Sequence, residues 1–235
     1  MSGIEEQVLQ KQLERLTRTL GCDHLAVADA WVSLGLKQLE YGEADLAEQA
    51  FRKALQIREA VLEENDETIT QLFYYIGLTH FEREDYAAAR QAYETCLDIY
   101  ETECRPEDAF LATVLDSLAN LYHDRDKFDT AESVLKRSLF IRLCVLEPFD
   151  SAIADSLNHL GWIYSQNGFL ERAENLFLGA LDIWISVLGL EHAKTAMCLE
   201  NYAHVLSRTG RNEEADELLC KVESIRALEK CDSNV

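Results

Sequence analysis

Residues 31–55 read WVSLGLKQLEYGEADLAEQAFRKAL, and this pattern returns along the chain at a constant interval. A large apolar residue, Leu34, stands before a small one, Gly35, and an alanine follows twelve positions later. The small residue recurs in steps of 42 positions, at Gly35, Gly77, Ala119, Gly161 and Ala203. The alanine keeps the same step, at Ala47, Ala89, Ala131, Ala173 and Ala215. Five copies in register without an insertion predict a repeat architecture.

Each copy contains the patterns of two helices. In the second copy Phe73, Ile76 and His80 are spaced i, i+3 and i+7, which places them on one face of a first helix. The polar stretch at 82–86 ends that pattern, and a second helix follows with the alanine and, four residues later, a large apolar residue. A small residue where two helices cross lets their backbones approach closely. The pattern therefore predicts pairs of packed helices.

These repeats resemble the tetratricopeptide repeat. The first copy has W-x-x-L-G at 31–35, and the fourth has L-x-x-L-G-x-x-Y at 157–164. The usual repeat has about 34 residues and ends in proline. Here the period is 42, and other residues stand where that proline would fall, namely Glu59, Glu101, Leu143 and Ile185. The lengthened form is similar to the kinesin-light-chain subtype.

The resemblance implies an all-α, right-handed α-solenoid of five antiparallel helix pairs in one elongated domain. We place the repeats at 20–62, 63–104, 105–146, 147–189 and 190–228, with a tail at 229–235. Residues 1–19 are predicted to form an N-terminal capping helix. A dimerising stub is the alternative for this helix, but fewer than three heptads are marginal for a coiled coil.

Charge and cysteine usage limit the classes of partner. The chain has 22 Lys and Arg against 43 Asp and Glu, a net charge of −21, so phosphate backbones and anionic lipids would repel it. Its 7 cysteines are odd in number and form no C-x-x-C pair, which is typical of a reduced, cytoplasmic protein without a zinc site. We expect neither a nucleic-acid nor a membrane partner, and no metal or cofactor.

The sequence offers no support for catalysis. It contains neither a phosphate-binding G-x-x-x-x-G-K-[ST] nor a G-x-S-x-G or H-E-x-x-H motif. Helical repeats present an extended surface, whereas catalysis usually needs a closed pocket. We therefore predict that the chain is not an enzyme.

The resemblance also places a binding groove on the first helices. With the small residue counted as position eight, positions two, five and nine of each first helix should line the concave face. These residues are Asp29, Val32, Leu36, Gln71, Tyr74, Leu78, Thr113, Asp116, Asn120, Asp155, Asn158, Trp162, Met197, Glu200 and His204. None is Lys or Arg, and the lining changes from apolar and aromatic in the N-terminal half to polar and acidic in the C-terminal half.

The lining indicates the chemistry of a partner. Chaperone-binding members of the family hold a carboxylate with Lys at position five and Asn at position nine. Only Asn120 fits that pair, and Asp116 beside it would repel a carboxylate. We expect a peptide or helix with apolar anchors and basic flanks, bound by a monomeric, non-catalytic adaptor. Two alternatives stay open: a sensor whose groove binds a signalling peptide or small ligand, and a structural subunit that uses the convex face or the last helix, at about 213–230.

Several other residues suggest weaker interpretations. His159 and His204 could act as ligands or pH sensors, but polar lining is the simpler expectation. The acids at 124–132 resemble a calcium loop but lack its glycine, so a helix-connecting turn is predicted there. Trp31 and Trp184 are predicted to be core residues, whereas Trp162 is predicted to be exposed in the groove.

Overall fold

A computed structural model describes residues 2–63, 66–102, 108–123 and 127–232. Within these ranges the chain forms eleven α-helices and no strand, which confirms the predicted all-α fold class. The helices are α1 (Ser2–Leu20), α2 (Leu25–Glu40), α3 (Ala44–Val61), α4 (Glu67–Glu82), α5 (Tyr86–Thr102), α6 (Ala109–His123), α7 (Phe128–Val145), α8 (Ser151–Gln166), α9 (Leu170–Leu188), α10 (Ala193–Arg208) and α11 (Asn212–Asp232). The last helix continues past residue 228, into the segment predicted as a tail.

The helix starts repeat the sequence period. The first helices of the pairs begin at Leu25, Glu67, Ala109, Ser151 and Ala193. The second helices begin at Ala44, Tyr86, Phe128, Leu170 and Asn212, and α1 ends at Leu20, 41 positions before α3 ends at Val61. The N-terminal helix α1 therefore occupies the register of a second helix from a preceding repeat.

Close packing inside each pair explains the small residues. A Cβ atom added to Gly35 would lie 2.7 Å from the Phe51 ring, and one added to Gly161 would lie 2.9 Å from the Phe177 ring. Both rings belong to the second helix of the same pair and are fully buried. A side chain at either glycine would overlap the ring, so the backbone of the first helix lies directly against it.

Side chains at the N-caps of several first helices accept hydrogen bonds from backbone N–H groups of the first turn. The carboxylates of Asp66 and Asp150 accept hydrogen bonds from the backbone N–H groups of Thr68 and Ala152, both at 2.8 Å. The Nδ1 atom of His192 accepts from the N–H of Lys194 at 3.1 Å. These bonds satisfy donors that the first turn of a helix leaves unpaired.

The helices fall into two compact units, residues 1–106 and 107–235, which we call unit 1 and unit 2. Our prediction of one elongated domain did not include this division between the second and third repeats. Unit 1 contains α1–α5, with two pairs, and unit 2 contains α6–α11, with three. Each has its own apolar core, and Trp184 is fully buried in that of unit 2. Trp31 was predicted as core but is only partly buried, at the edge of the unit 1 core.

Candidate functional site

The predicted lining of unit 1 is on α2 and α4, and its side chains differ in exposure. Leu36 is exposed, and Val32 and Leu78 are partly buried. Tyr74 is only 9% exposed, and its ring packs 5.6 Å from the ring of Tyr93 on α5. Tyr74 is therefore mainly a core residue, which corrects its assignment to the groove lining.

The acidic residue of this lining is paired. Asp29 Oδ1 lies 2.7 Å from Nη2 of Arg58, which α3 contributes. Arg58 is 8% exposed and donates a further hydrogen bond of 2.8 Å to the carbonyl of Thr68 at the start of α4. The guanidinium thus connects three helices of unit 1, and Gln71 is similarly engaged, through a 3.0 Å bond to Glu67.

The third repeat contains a more deeply buried ion pair. Asp116 on α6 lies 2.6 Å from Nη1 of Arg142 on α7, and Arg142 is 6% exposed. The same guanidinium donates to the hydroxyl of Ser156 on α8. Next to it, Ser138 donates to the carbonyl of Ala112 at 3.0 Å. Asp116 therefore belongs to a polar network that connects three helices of unit 2.

The remaining acidic lining residues also have cationic partners. Lys194 Nζ lies 2.7 Å from Asp155, and Arg226 Nη2 lies 2.6 Å from Glu200. All four acids of the predicted lining are thus in ion pairs, and their cations stand outside positions two, five and nine. The lining is less negative than its residues alone indicate, which corrects our description of an acidic C-terminal half.

Sequence register could have revealed three of these cations. Arg58, Arg142 and Arg226 are 84 residues apart, so they share one position of the second helix in alternate repeats. Tyr100 and Trp184 occupy that position in the repeats between them. We considered only the first helices when assigning charge to the groove, and for that reason missed these arginines.

Asparagine side chains connect the neighbouring first helices α8 and α10. Asn201 Nδ2 donates to Asn158 Oδ1 at 3.2 Å. Within the described part of unit 2, Asn158 Nδ2 and Asn201 Oδ1 have no hydrogen-bond partner, so an amide NH2 group and an amide oxygen remain available. Asn201 is at position six and was not among the predicted residues.

Apolar and aromatic side chains accompany this amide pair. Met197 is 42% exposed on α10, and Trp162 is partly buried on α8, one turn after Asn158. His204 is exposed on α10. We call Asn158, Trp162, Met197, Asn201 and His204 the α8–α10 surface. Asn120 and Thr113 lie on α6, exposed and partly buried respectively.

The other sequence candidates contribute no reactive group. Among the described residues, no group of three or more His, Cys, Asp or Glu side chains could hold a metal ion. Asp124 and Asp126 of the suggested calcium loop lie outside the described residues, and Glu132 pairs with Lys136 at 2.6 Å. Burial raises the pKa of both Cys96 and Cys198 to about 12. In the part of the chain that the structure covers, no helix has the length and apolar character needed to cross a membrane.

Comparison with known proteins identifies the class. The tetratricopeptide repeat family matches residues 68–142 and 152–227, more than half of the chain. The chain belongs to the tetratricopeptide repeat family, as its sequence pattern predicted. Its 42-residue period is the feature that resembles the kinesin-light-chain repeats. The comparison with curated proteins found no match.

Solved structures share the fold at low sequence identity. BtubC from P. vanneervenii superposes with a TM-score of 0.81 at 19% identity, covering 97% of this chain and 90% of that one. Nearly identical TPR-like repeats of a kinesin light chain-like protein from Podosopora anserina give 0.71 at 19% identity, covering 88% and 98%. A Rap protein complexed with competence and sporulation factor gives 0.68 at 14% identity, covering 94% and 64%. These similarities confirm the TPR-like solenoid fold.

Proposed function

We propose that this protein is a non-catalytic, cytoplasmic adaptor that binds an extended peptide or a helix of a partner protein on its first helices. The α8–α10 surface is the principal contact in this proposal. Asp29, Val32, Leu36, Gln71 and Leu78 form the corresponding surface of unit 1, without the buried Tyr74. Exposed free thiols at Cys22, Cys144 and Cys220 support a reducing compartment.

The amide pair is the observation that carries the proposal. A peptide backbone presents one N–H donor and one C=O acceptor per residue, and it needs partners for both when it is bound. Among the described residues, the oxygen Asn201 Oδ1 and the NH2 group of Asn158 have no hydrogen-bond partner, so they offer an acceptor and a donor group to a ligand. Because they come from adjacent helices and bond to each other, their positions are set before a ligand arrives.

The neighbouring side chains supply the apolar part of recognition. Trp162 and Met197 flank the amide pair, and aromatic and methionine side chains are frequent anchors at protein interfaces. Val32 and Leu36 offer aliphatic contacts in unit 1. A ligand would therefore bind through backbone hydrogen bonds and a few apolar anchors.

Charge would act mainly on the rate of association. Since the lining acids are in ion pairs, each adds little direct attraction for a cationic side chain. The net charge of −21 nevertheless produces a field that attracts basic segments over distance and is screened by salt. A ligand with basic flanks would associate faster at low ionic strength, without requiring a dedicated acidic pocket.

The comparisons support an interaction class. The Rap protein with a similar fold is complexed with competence and sporulation factor, and another neighbour, YrrB, is described as a TPR protein with an unusual peptide-binding site. Binding of a segment from another molecule is thus compatible with this fold.

Selection from a phage-displayed random peptide library tests the proposal. The wild-type chain should enrich peptides with aromatic or aliphatic anchors next to Lys or Arg. The double change Asn158→Ala and Asn201→Ala should reduce the affinity of a selected peptide about tenfold or more, because two backbone hydrogen bonds are lost. Asn175→Ala, exposed on α9, is the matched control and should leave binding unchanged. Equal binding by the double variant would refute the assignment of this surface.

A second candidate is a structural role in an assembly. Second helices of unit 2 expose Phe140 and Leu143 on α7 and Ile185 on α9, with 64%, 57% and 43% of their surface accessible. Leu143 and Ile185 occupy the position at which the first two repeats have Glu59 and Glu101. Exposed apolar side chains on an otherwise charged protein favour contact with another protein through these helices.

A further inference from the structure

Unit 1 contains a cavity that the proposed peptide surfaces do not use. It lies between α1, α2 and α3 and has a volume of about 610 Å³. None of the predicted lining residues of α2, Asp29, Val32 or Leu36, contributes to its wall. The volume falls within the range of about 300–1,000 Å³ that is usual for small-molecule sites.

Apolar side chains from all three helices form much of the wall. They are Leu13 of α1, Trp31 and Leu34 of α2, and Leu46 and Ala50 of α3. Leu46 is 45% exposed, and Trp31 is only partly buried although its ring is large. The cavity thus leaves accessible some apolar surface that a bound molecule would remove from water.

The charged residues of this wall have the opposite balance to the rest of the chain. Arg18 and Lys53 stand against one acid, Glu14, whereas the whole chain has a net charge of −21. Within the described residues neither cation has a carboxylate partner; the Lys53 ammonium instead lies 4.2 Å from the centre of the Trp31 ring. An aromatic ring carries no net charge, so the ammonium above it is not neutralised.

The buried amide side chain of Gln38 contributes a polar group to the wall. Gln38 lines the cavity and is 5% exposed. Its Nε2 donates to Glu6 at 3.2 Å, while its Oε1 is buried without a hydrogen-bond partner among the described residues. Unpaired buried acceptors are costly, so a donor from a bound molecule or an accompanying water would stabilise this arrangement.

We propose that this cavity binds an amphipathic carboxylate, a molecule with an apolar chain or ring and a single carboxylate group. The apolar part packs against Trp31, Leu34 and Leu13, and the carboxylate lies near Lys53 and Arg18. Glu14 opposes binding by repulsion. This site is separate from the peptide surfaces, so its test is independent of the proposed function.

Calorimetric titration of the full chain with decanoate tests this site, with decyltrimethylammonium as the cationic counterpart of equal chain length. Decanoate should bind saturably and the ammonium compound should not. Lys53→Met should weaken decanoate binding roughly fivefold, and Glu14→Gln should strengthen it by a similar factor, because each removes one partly exposed charge interaction. Lys221→Met, exposed on α11, is the matched control and should have no effect.

A cavity-filling change provides a test that does not depend on charge. Leu46→Trp adds volume at the accessible edge of the cavity and should abolish decanoate binding while circular dichroism shows unchanged helicity. The proposal is overturned if wild type shows no saturable decanoate binding, or if the ammonium compound binds equally well. It is also overturned if Lys53→Met and Lys221→Met are indistinguishable, since a nonspecific apolar contact would give that result.

Discussion

At the scale of single residues, the arginines of the second helices determine how much charge the lining presents. Arg58, Arg142 and Arg226 share one register position, and each pairs with an acid on the first helix of its own repeat. Their burial differs, however. Arg142 is nearly enclosed, while the side chains of Arg226 and Glu200 are 50% and 45% exposed. Equivalent positions in one chain therefore allow a direct comparison of buried and exposed ion pairs.

Asp116→Ala should lower the free energy of unfolding by about 3 kcal/mol, because it leaves the buried Arg142 charge without its carboxylate. Glu200→Ala should cost less than about 1 kcal/mol, since water solvates Arg226 when its partner is removed. Urea unfolding followed by circular dichroism measures both values. Equal losses for the two variants would show that burial of Arg142 does not control the strength of its ion pair.

Buried thiols give a second expectation at this scale. The pKa of Cys96 and that of Cys198 are raised to about 12 by burial, and only a thiolate reacts readily with iodoacetamide. At pH 8 both thiols should stay unlabelled in the folded protein, while exposed Cys144 and Cys220 react. Peptide mapping by mass spectrometry measures this, and denatured protein, in which all four label, is the control. Labelling of Cys96 in the native state would contradict its burial.

Individual residues also show where sequence reasoning succeeds and where it stops. The glycines opposite Phe51 and Phe177 were predictable, because a 42-residue period marks small residues and their function in helix crossing is local. The burial of Tyr74 could not be predicted from the sequence, because it depends on how the ring packs against Tyr93 of the neighbouring helix. Asn201 was missed because a fixed set of three positions excluded it.

At the scale of elements, the turns inside the helix pairs differ in one informative way. Gly42, Gly168 and Gly210 have positive φ angles of 76°, 84° and 84° in these turns. In the second pair the equivalent residue is Glu84, with a φ of 60°. The left-handed region costs a residue with a side chain about 1–2 kcal/mol relative to the right-handed one.

Glu84→Gly should therefore raise the free energy of unfolding by about 0.5–1 kcal/mol, because glycine adopts this conformation without strain but loses more chain entropy. Chemical denaturation provides the measurement. Gln91→Gly, at an exposed position inside α5, is the control and should lower stability by about 1 kcal/mol. A loss of stability in both variants would mean that the Glu84 backbone is not strained.

The N-terminal helix illustrates a limit of pattern reading at this scale. The sequence predicts a cap, and α1 ends at Leu20, within one residue of the register in which α3 ends at Val61. Glu6 Oε1 of α1 accepts a hydrogen bond of 3.2 Å from Gln38 Nε2. The equivalent residues one repeat later are Glu48 and His80, whose Oε1 and Nε2 atoms lie 3.8 Å apart. The pattern is hard to see in the sequence, because Glu5 replaces the alanine of a complete repeat, although Leu9 keeps the large apolar residue.

At the scale of the whole molecule, composition and period predict the fold class but not the identity of the partner. The 42-residue step predicted five helix pairs, and family membership and solved structures confirm the class. The division into two units at residue 106 was not predictable, because the period continues through it without a change in the pattern. Net charge predicts that nucleic acids and anionic membranes are not partners, but it does not reveal the ion pairs, which depend on contacts between helices.

The central proposal is that the α8–α10 surface binds a segment of a partner protein, and site-specific photo-crosslinking in native lysate tests it most directly. Benzoylphenylalanine replaces Met197, exposed on that surface, or Leu178, exposed on α9. We predict a discrete partner crosslink from position 197 that Asn158→Ala with Asn201→Ala removes, and none from position 178. Crosslinks from position 178 alone, or a crosslink from 197 that survives the double change, would contradict peptide binding at this surface.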